Sequence, residues 1–235
     1  MVQDTSEECS ATVSETSSTS ILSVANIGRQ LQGRWIWQDI SFELLAGDRL
    51  AIVGPSGAGK SLLLRALAGL DPIQSGEIFF QGNPLSNLAM PEFRSQVTYL
   101  HQKPALLEGT VESNLQQIYR LAIHRDKSYG RSQILEYLEI LGRSEPFLER
   151  STEQLSGGEQ QIVACLRSLQ LSPTVLLLDE PTASLDNAAT HQLETLITQW
   201  QQNAPNRACI WTSHDPAQIE RVTNRQLALS SSLHD

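Results

Sequence analysis

The chain has 235 residues, 40% of them hydrophobic and 18% charged, with a formal net charge of -9. That is enough apolar material for one packed domain with an inserted subdomain, and the acidic balance argues against nucleic acid as a partner, because DNA and RNA binders present a basic face. Cys9, Cys165 and Cys209 are dispersed and lack metal-ligand spacing, so they read as buried or tail thiols in a reducing compartment, not as a zinc site or disulfide framework.

Residues 1–20 are Ser/Thr/Glu-rich and nearly free of large apolar groups. Such a segment cannot bury enough surface to offset its ordering entropy and reads as a disordered tail. It also lacks the basic-then-apolar order of a secretory leader. No stretch reaches the ~20 apolar residues a membrane helix needs, so work at a membrane requires another chain to span it.

From residue 21 onward, short apolar runs alternate with helical patterns. Residues 21–25 and 36–45 read as strands, the second alternating through Ile40, Phe42 and Leu44. Residues 49–53 form an apolar run that enters a Gly-rich turn, the mark of a buried parallel strand. A helix is expected over 60–70, then strands over 77–81 and 97–100. Between 110 and 150 the strand signal vanishes and helical spacing takes over, as in 132–141 with Ile134, Leu135, Leu138 and Leu141 on one face. Strands return at 175–178, 208–212 and 226–229, with a helix over 188–200. The expected organisation is an α/β domain over 21–235, interrupted by a helical subdomain over about 103–165.

Gly54, Pro55, Ser56, Gly57, Ala58, Gly59, Lys60 and Ser61 fit G-x-x-x-x-G-K-[ST] between an expected strand and an expected helix. Glycines let backbone N–H groups curl around a polyphosphate, and the helix N-terminus adds donors and a favourable dipole. Lys60 is expected to reach the β- and γ-phosphates of ATP, and the Ser61 hydroxyl to bind Mg²⁺. The apolar run 175–178 ends in Asp179 and Glu180. At a buried strand's C-terminal end these carboxylates are placed to hold the Mg²⁺ shell (Asp179) and to orient or deprotonate an attacking water (Glu180). Leu155, Ser156, Gly157, Gly158, Glu159, Gln160 and Gln161 open a further helix, where a Ser-Gly-Gly run offers free N–H donors to an anion.

These motifs, in this order on one chain, resemble those of the ABC ATPase family over about residues 21–229. The resemblance implies a P-loop NTPase (RecA-like) core with an antiparallel β subdomain and an inserted helical subdomain. It implies two ATPase subunits packed head to tail, a homodimer here, with each ATP between one subunit's P-loop and the other's signature. Ser156 and Gly158 then contact the γ-phosphate bound to the partner. Gln102 matches the Q-loop glutamine that touches the metal or water and relays nucleotide state. Ser184, Leu185 and Asp186 match the D-loop, and His214 matches the switch histidine on the γ-phosphate. His101, His124, His191 and His234 read as structural.

Residues 101–115 resemble ATP-binding subunits of bacterial iron-export systems and their plant aluminium-tolerance relatives. That implies an integral membrane permease as partner, a cytoplasmic location on the inner face of the membrane, and metal transport. Lys103, Leu106 and Leu107 are candidate permease contacts. The alternative is a soluble ABC ATPase of another class, such as an iron–sulfur assembly subunit.

At three positions the chain departs from the family pattern. No aromatic stands at 29–31, where the family stacks adenine, leaving Arg29 or a displaced Trp35 for that role, while Trp35 and Trp37 as strand packing is the simpler reading. Leu62 replaces a hydroxyl that meets the α-phosphate, and Ile162 replaces a common arginine.

Overall fold

A computed structural model describes residues 20–230. Residues 1–19 of the expected tail, with Cys9, and also His234 lie outside the described residues; Ser20 already opens the first strand. In chain order the strands are β1 (Ser20–Leu31), β2 (Arg34–Leu45), β3 (Arg49–Val53), β4 (Ser75–Phe80), β5 (Asn83–Pro84), β6 (Val97–Leu100), β7 (Val175–Asp179), β8 (Ala208–Thr212) and β9 (Arg225–Ala228). The helices are α1 (Lys60–Leu67), α2 (Met90–Gln96), α3 (Val111–Gln117), α4 (Arg131–Ile140), α5 (Gly157–Leu169), α6 (Asn187–Gln202) and α7 (Pro216–Val222).

Two sheets divide the strands. An antiparallel sheet runs in the order β2-β1-β4-β5, and a parallel sheet in the order β6-β7-β8-β3-β9. The inner parallel strands β3, β7 and β8 read as apolar runs because both of their faces are covered. On β7, Leu176 and Leu178 pack with the insert helices, while Val175 and Leu177 pack with α1 and the antiparallel sheet. On β8, Cys209 and Trp211 take the first side, Ala208 and Ile210 the second. Burial pushes the thiols of Cys165 and Cys209 up to about 12, so both stay protonated apolar filler.

Two expected boundaries move for local reasons. β1 continues past residue 25 to Leu31 through irregular register and a left-handed Asn26 (φ 49°), which breaks the period-2 pattern that marks a strand. The β1–β2 hairpin then closes on Gln32 and Gly33, both at positive φ (51° and 78°), as a two-residue turn of this hand requires. α1 ends at Leu67, before the expected residue 70. Gly69 turns left-handed (φ 63°), and the N–H groups of Gly69 and Leu70 donate to the carbonyls of Ala66 and Arg65, each at 2.9 Å.

Between β6 and β7 the chain makes α3, α4 and several short 3-10 turns, with one isolated strand bridge, Thr110 to Ser151. α4 buries Ile134, Tyr137 and Leu138, and α5 runs from the insert into the core with most of its residues buried. Behind the sheet, the buried Glu194 of α6 accepts from Arg221 of α7 at 2.7 and 2.8 Å and from Gln218 at 2.8 Å. Burial pushes this carboxyl up, but the Arg221 and Gln218 donors outweigh it and hold it below its usual range. Thr182 hydrogen-bonds Gln218 at 3.1 Å, so this network anchors the segment that follows β7. Among the described residues, no helix is long and apolar enough to cross a membrane.

Leu177→Ala is expected to destabilise by about 2–5 kcal/mol, because it leaves a cavity between two covered faces of β7. Leu107, 53% exposed, is the contrast: Leu107→Ala should stay within about 0.5 kcal/mol. Urea unfolding midpoints of the two variants check both values.

Candidate active site

The site forms where the parallel strands end. β3 stops at Val53, the chain loops through residues 54–59, and α1 begins at Lys60 with no side-chain cap on its first N–H groups. Gly54, Gly57 and Gly59 hold φ values of 155°, 83° and 86°, which side-chain-bearing residues rarely adopt. A Cβ on Gly59 would stand 2.6 Å from Ile36 and 3.0 Å from the Trp37 ring, so β2 braces the loop from behind. Pro55, Ser56 and Gly57 are exposed, Ala58 is buried, and Leu62 is half-buried. A loop of this shape next to an uncapped helix start suits a polyphosphate.

The buried Lys60 ammonium lies on its own loop, donating to the carbonyls of Gly54 at 2.9 Å and Pro55 at 3.1 Å. Ser61, next along α1, donates its hydroxyl to Asp179 Oδ1 at 3.0 Å.

Asp179 and Glu180 close β7 with different surroundings. Asp179 is buried. Its Oδ1 also accepts from the Thr212 hydroxyl at 3.0 Å, and its Oδ2 accepts from the Tyr99 hydroxyl at 2.7 Å. Burial, reinforced by that bond, pushes the Tyr99 hydroxyl well above its ordinary pKa, so it stays a donor. Glu180 turns left-handed at φ 47°, and its N–H donates to Thr212 Oγ1 at 3.0 Å. The turn brings its carboxylate between Gln102, whose Nε2 donates at 2.6 Å, and His214, whose Nε2 lies 2.8 Å away. Gln102 follows β6 and His214 follows β8, so the ends of adjacent parallel strands converge on one carboxylate. Half-buried, this group can meet a water and accept its proton, whereas Asp179 is buried among hydroxyl donors.

The oxygen set also suits a hard cation. Asp179 and Ser61 supply hard oxygen ligands, and among the described residues no ion pair engages Asp179. Among the described residues no group of His, Cys, Asp and Glu forms an all-protein metal cage. That fits Mg²⁺, which is usually held by one or two protein oxygens together with water and substrate phosphates.

The second motif stands apart. Ser156 caps α5 in a capping box with Glu159, by bonds of 2.9 and 3.2 Å, and Arg150 pairs with the same glutamate at 2.5 Å. Burial raises the Glu159 carboxyl, but the Ser156 and Arg150 donors outweigh it and hold it below its usual range. Gly158 has no room for a side chain: a Cβ there would stand 2.7 Å from the Ser184 carbonyl. Among the described residues, neither Ser156 nor Gly158 hydrogen-bonds any residue of the 54–62 loop.

Neither substitute for an adenine platform is free. Arg29 donates to the Pro72 carbonyl at 2.6 Å, and the Trp35 ring lies across Gly28, where a Cβ would meet it at 2.6 Å. Trp37 is buried beneath the loop. The strand-packing reading of both tryptophans therefore describes their positions.

Tyr99 and Thr212 join the site without belonging to any sequence motif. Thr212 is the register partner of Asp179 across β7 and β8, so a hydroxyl at the end of the next apolar run was the available signal. Tyr99 gives no such signal, because its ring must cross from β6 to reach the carboxylate.

The family model for ABC transporters matches residues 37–183, more than half the chain. The chain is 36% identical over 202 residues to the probable iron export ATP-binding protein FetA of Escherichia coli K12, covering 86% of this chain and 88% of that protein. It is 38% identical over 214 residues to the spermidine/putrescine import ATP-binding protein PotA of Spiroplasma citri, covering 90% of this chain and 59% of that protein. The fold matches the dimeric, post-hydrolysis ATP-binding cassette MJ0796 bound to ADP and Pi, with a TM-score of 0.76 at 22% identity, covering 91% of this chain and 97% of that one. With its phosphate loop, paired strand-end carboxylates and Ser-Gly-Gly-capped helix, the chain belongs to the ABC transporter family and is one of its ATPases.

Proposed function

We propose that this chain is the ATP-hydrolysing subunit of a membrane transporter, working as a homodimer on the inner face of the membrane with a separate integral membrane permease. The observation that carries the catalytic part is the Glu180 carboxylate held between Gln102 and His214, beside the buried Asp179. In this reading Glu180 orients the attacking water and accepts its proton, Gln102 and His214 fix the carboxylate's direction, and Lys60 leaves its loop carbonyls for the β- and γ-phosphates. Residues 54–62 cradle the phosphates through backbone N–H groups. Ser61, Asp179 and Gln102 hold Mg²⁺, which when bound neutralises charge on the phosphate oxygens.

The separation of Ser156 and Gly158 from the phosphate loop favours a site completed between two chains, each signature facing its partner's ATP. The ATP-binding cassette that shares this fold is itself dimeric, which supports a dimer here. ATP then acts by binding the closed dimer better than the open one.

The transport reading rests on the surface beside Gln102. A groove of about 530 Å³ lies between the core and the insert, lined by Pro91, Tyr99, Leu121, Ile123 and Arg167 among others. Lys103 and Leu107 are exposed close to Gln102 in the chain, while Leu106 is half-buried against the core. A short permease helix seated there would touch β6, the strand that leads into Gln102, so transport and nucleotide state would share one element. Metal export, iron in particular, is the favoured cargo, on the resemblance of residues 101–115 and the name of the Escherichia coli relative.

Glu180→Gln should lower the hydrolysis rate by about 10²–10⁴-fold while ATP binding persists, measured by phosphate release and by nucleotide binding at equilibrium. With no aromatic platform, ATP and GTP affinities should agree within about tenfold in a competition assay, since base stacking is worth about 1–3 kcal/mol. Co-expression with the permease should give a stable complex whose ATPase rate exceeds that of the isolated chain; a stable complex with no stimulation counts against transport.

A further inference from the structure

Asp179 is buried, and a buried carboxylate keeps one orientation only while donors hold both of its oxygens. In this chain Oδ1 is shared by the hydroxyls of Ser61 and Thr212, each at 3.0 Å. Oδ2 has a single donor among the described residues, the Tyr99 hydroxyl at 2.7 Å. The Ser61 hydroxyl gives its one proton to Asp179 and keeps lone pairs that a cation can take. Among the described residues Oδ1 thus has two hydroxyl donors and Oδ2 one, so Tyr99 alone fixes the plane of the carboxylate from the Oδ2 side. Thr212 is already bound to its neighbour, since its Oγ1 also accepts the Glu180 N–H at 3.0 Å.

Tyr99 is well placed for such a task. It sits on β6, whose register pairs it with Leu177 on β7, and its ring stands edge-on to His101 with centroids 5.7 Å apart. Three residues on, Gln102 reaches Glu180 at 2.6 Å. One strand end therefore contacts both carboxylates of the site, Asp179 through Tyr99 and Glu180 through Gln102.

We propose that Tyr99 is a positioning residue for the metal-holding carboxylate, fixing Asp179 from β6 so that the cation site and the Gln102 segment move as one unit. This inference rests on the reading of Asp179 as a Mg²⁺-holding group. Substitution of Tyr99 should therefore weaken the part of nucleotide binding that depends on the metal and spare the part that does not.

The test measures ATP affinity of the full chain with Mg²⁺ and with EDTA, in a Glu180→Gln background that suppresses turnover. Tyr99→Phe, which removes only the hydroxyl, should reduce the affinity gain conferred by Mg²⁺ by about ten- to a hundredfold, the worth of one lost bond to a charged group. Affinity in EDTA should be unchanged. Tyr99→Leu, which also removes the ring, should show the same metal-dependent loss. In the parent with Glu180 restored, Tyr99→Phe should raise the Mg²⁺ concentration for half-maximal hydrolysis by a similar factor. If Tyr99→Phe keeps the parental Mg²⁺ dependence, or loses as much affinity in EDTA as in Mg²⁺, the role assigned to Tyr99 is overturned. A loss seen in Tyr99→Leu alone overturns it as well, since it points to ring packing. A parent whose ATP affinity ignores Mg²⁺ overturns the metal reading of Asp179, and this proposal with it.

Discussion

A carboxylate buried at the end of β7 sets the terms for the rest of this site. Asp179 is taken out of water with no ion pair among the described residues, so its charge is tolerated only through hydroxyl donors. Those donors come from α1, β6 and β8, which have to end at one level for the bonds to form. The parallel order β6-β7-β8-β3 meets that condition, because each strand runs the same way and delivers its C-terminal end to the same edge. Sheet topology and site chemistry are in this sense one constraint.

Glu180, one residue on, has the opposite character. Its left-handed turn lifts it out of the strand, and the groups around it are a half-buried amide and an exposed imidazole. A rigid carboxylate beside an adjustable one is a common way to divide work between binding and chemistry. The Glu194–Arg221–Gln218–Thr182 network gives the segment after Glu180 a fixed base on α6 and α7, so the movable part stays short.

Much of the fold was legible because its logic is local. The apolar runs at β3, β7 and β8 are short, flanked by turns, and covered on both faces, so composition alone marks them. The phosphate loop is contiguous, and its glycines announce the backbone shape. What was not legible depends on pairing. The far half of β1 is held by register with β2 across irregularities that erase its alternation, and the end of α1 is set by one glycine's handedness. Gln102, Glu180 and His214 lie far apart in the chain: the end of an apolar run marks Glu180, while only resemblance to a family marks Gln102 and His214, and the strands bring the three together. Tyr99 and Thr212 had no motif to carry them, because what matters about each is which carboxylate oxygen its hydroxyl reaches.

The resting place of Lys60 has a consequence for which nucleotides the loop accepts. With its ammonium seated on the Gly54 and Pro55 carbonyls, Lys60 has partners within its own loop that compete with a ligand. Any ligand has to displace those charge-assisted bonds, each worth about 1.5–3 kcal/mol, before it gains anything from the lysine. A molecule long enough to offer a second or third phosphate replaces them with a stronger ionic partner. A monophosphate or a free nucleoside leaves the lysine where it is and gets only the backbone donors. A lysine held in this way would separate ligands by what they gain and not by what they lose: only a chain of phosphates long enough to draw it away would add its charge to the backbone donors.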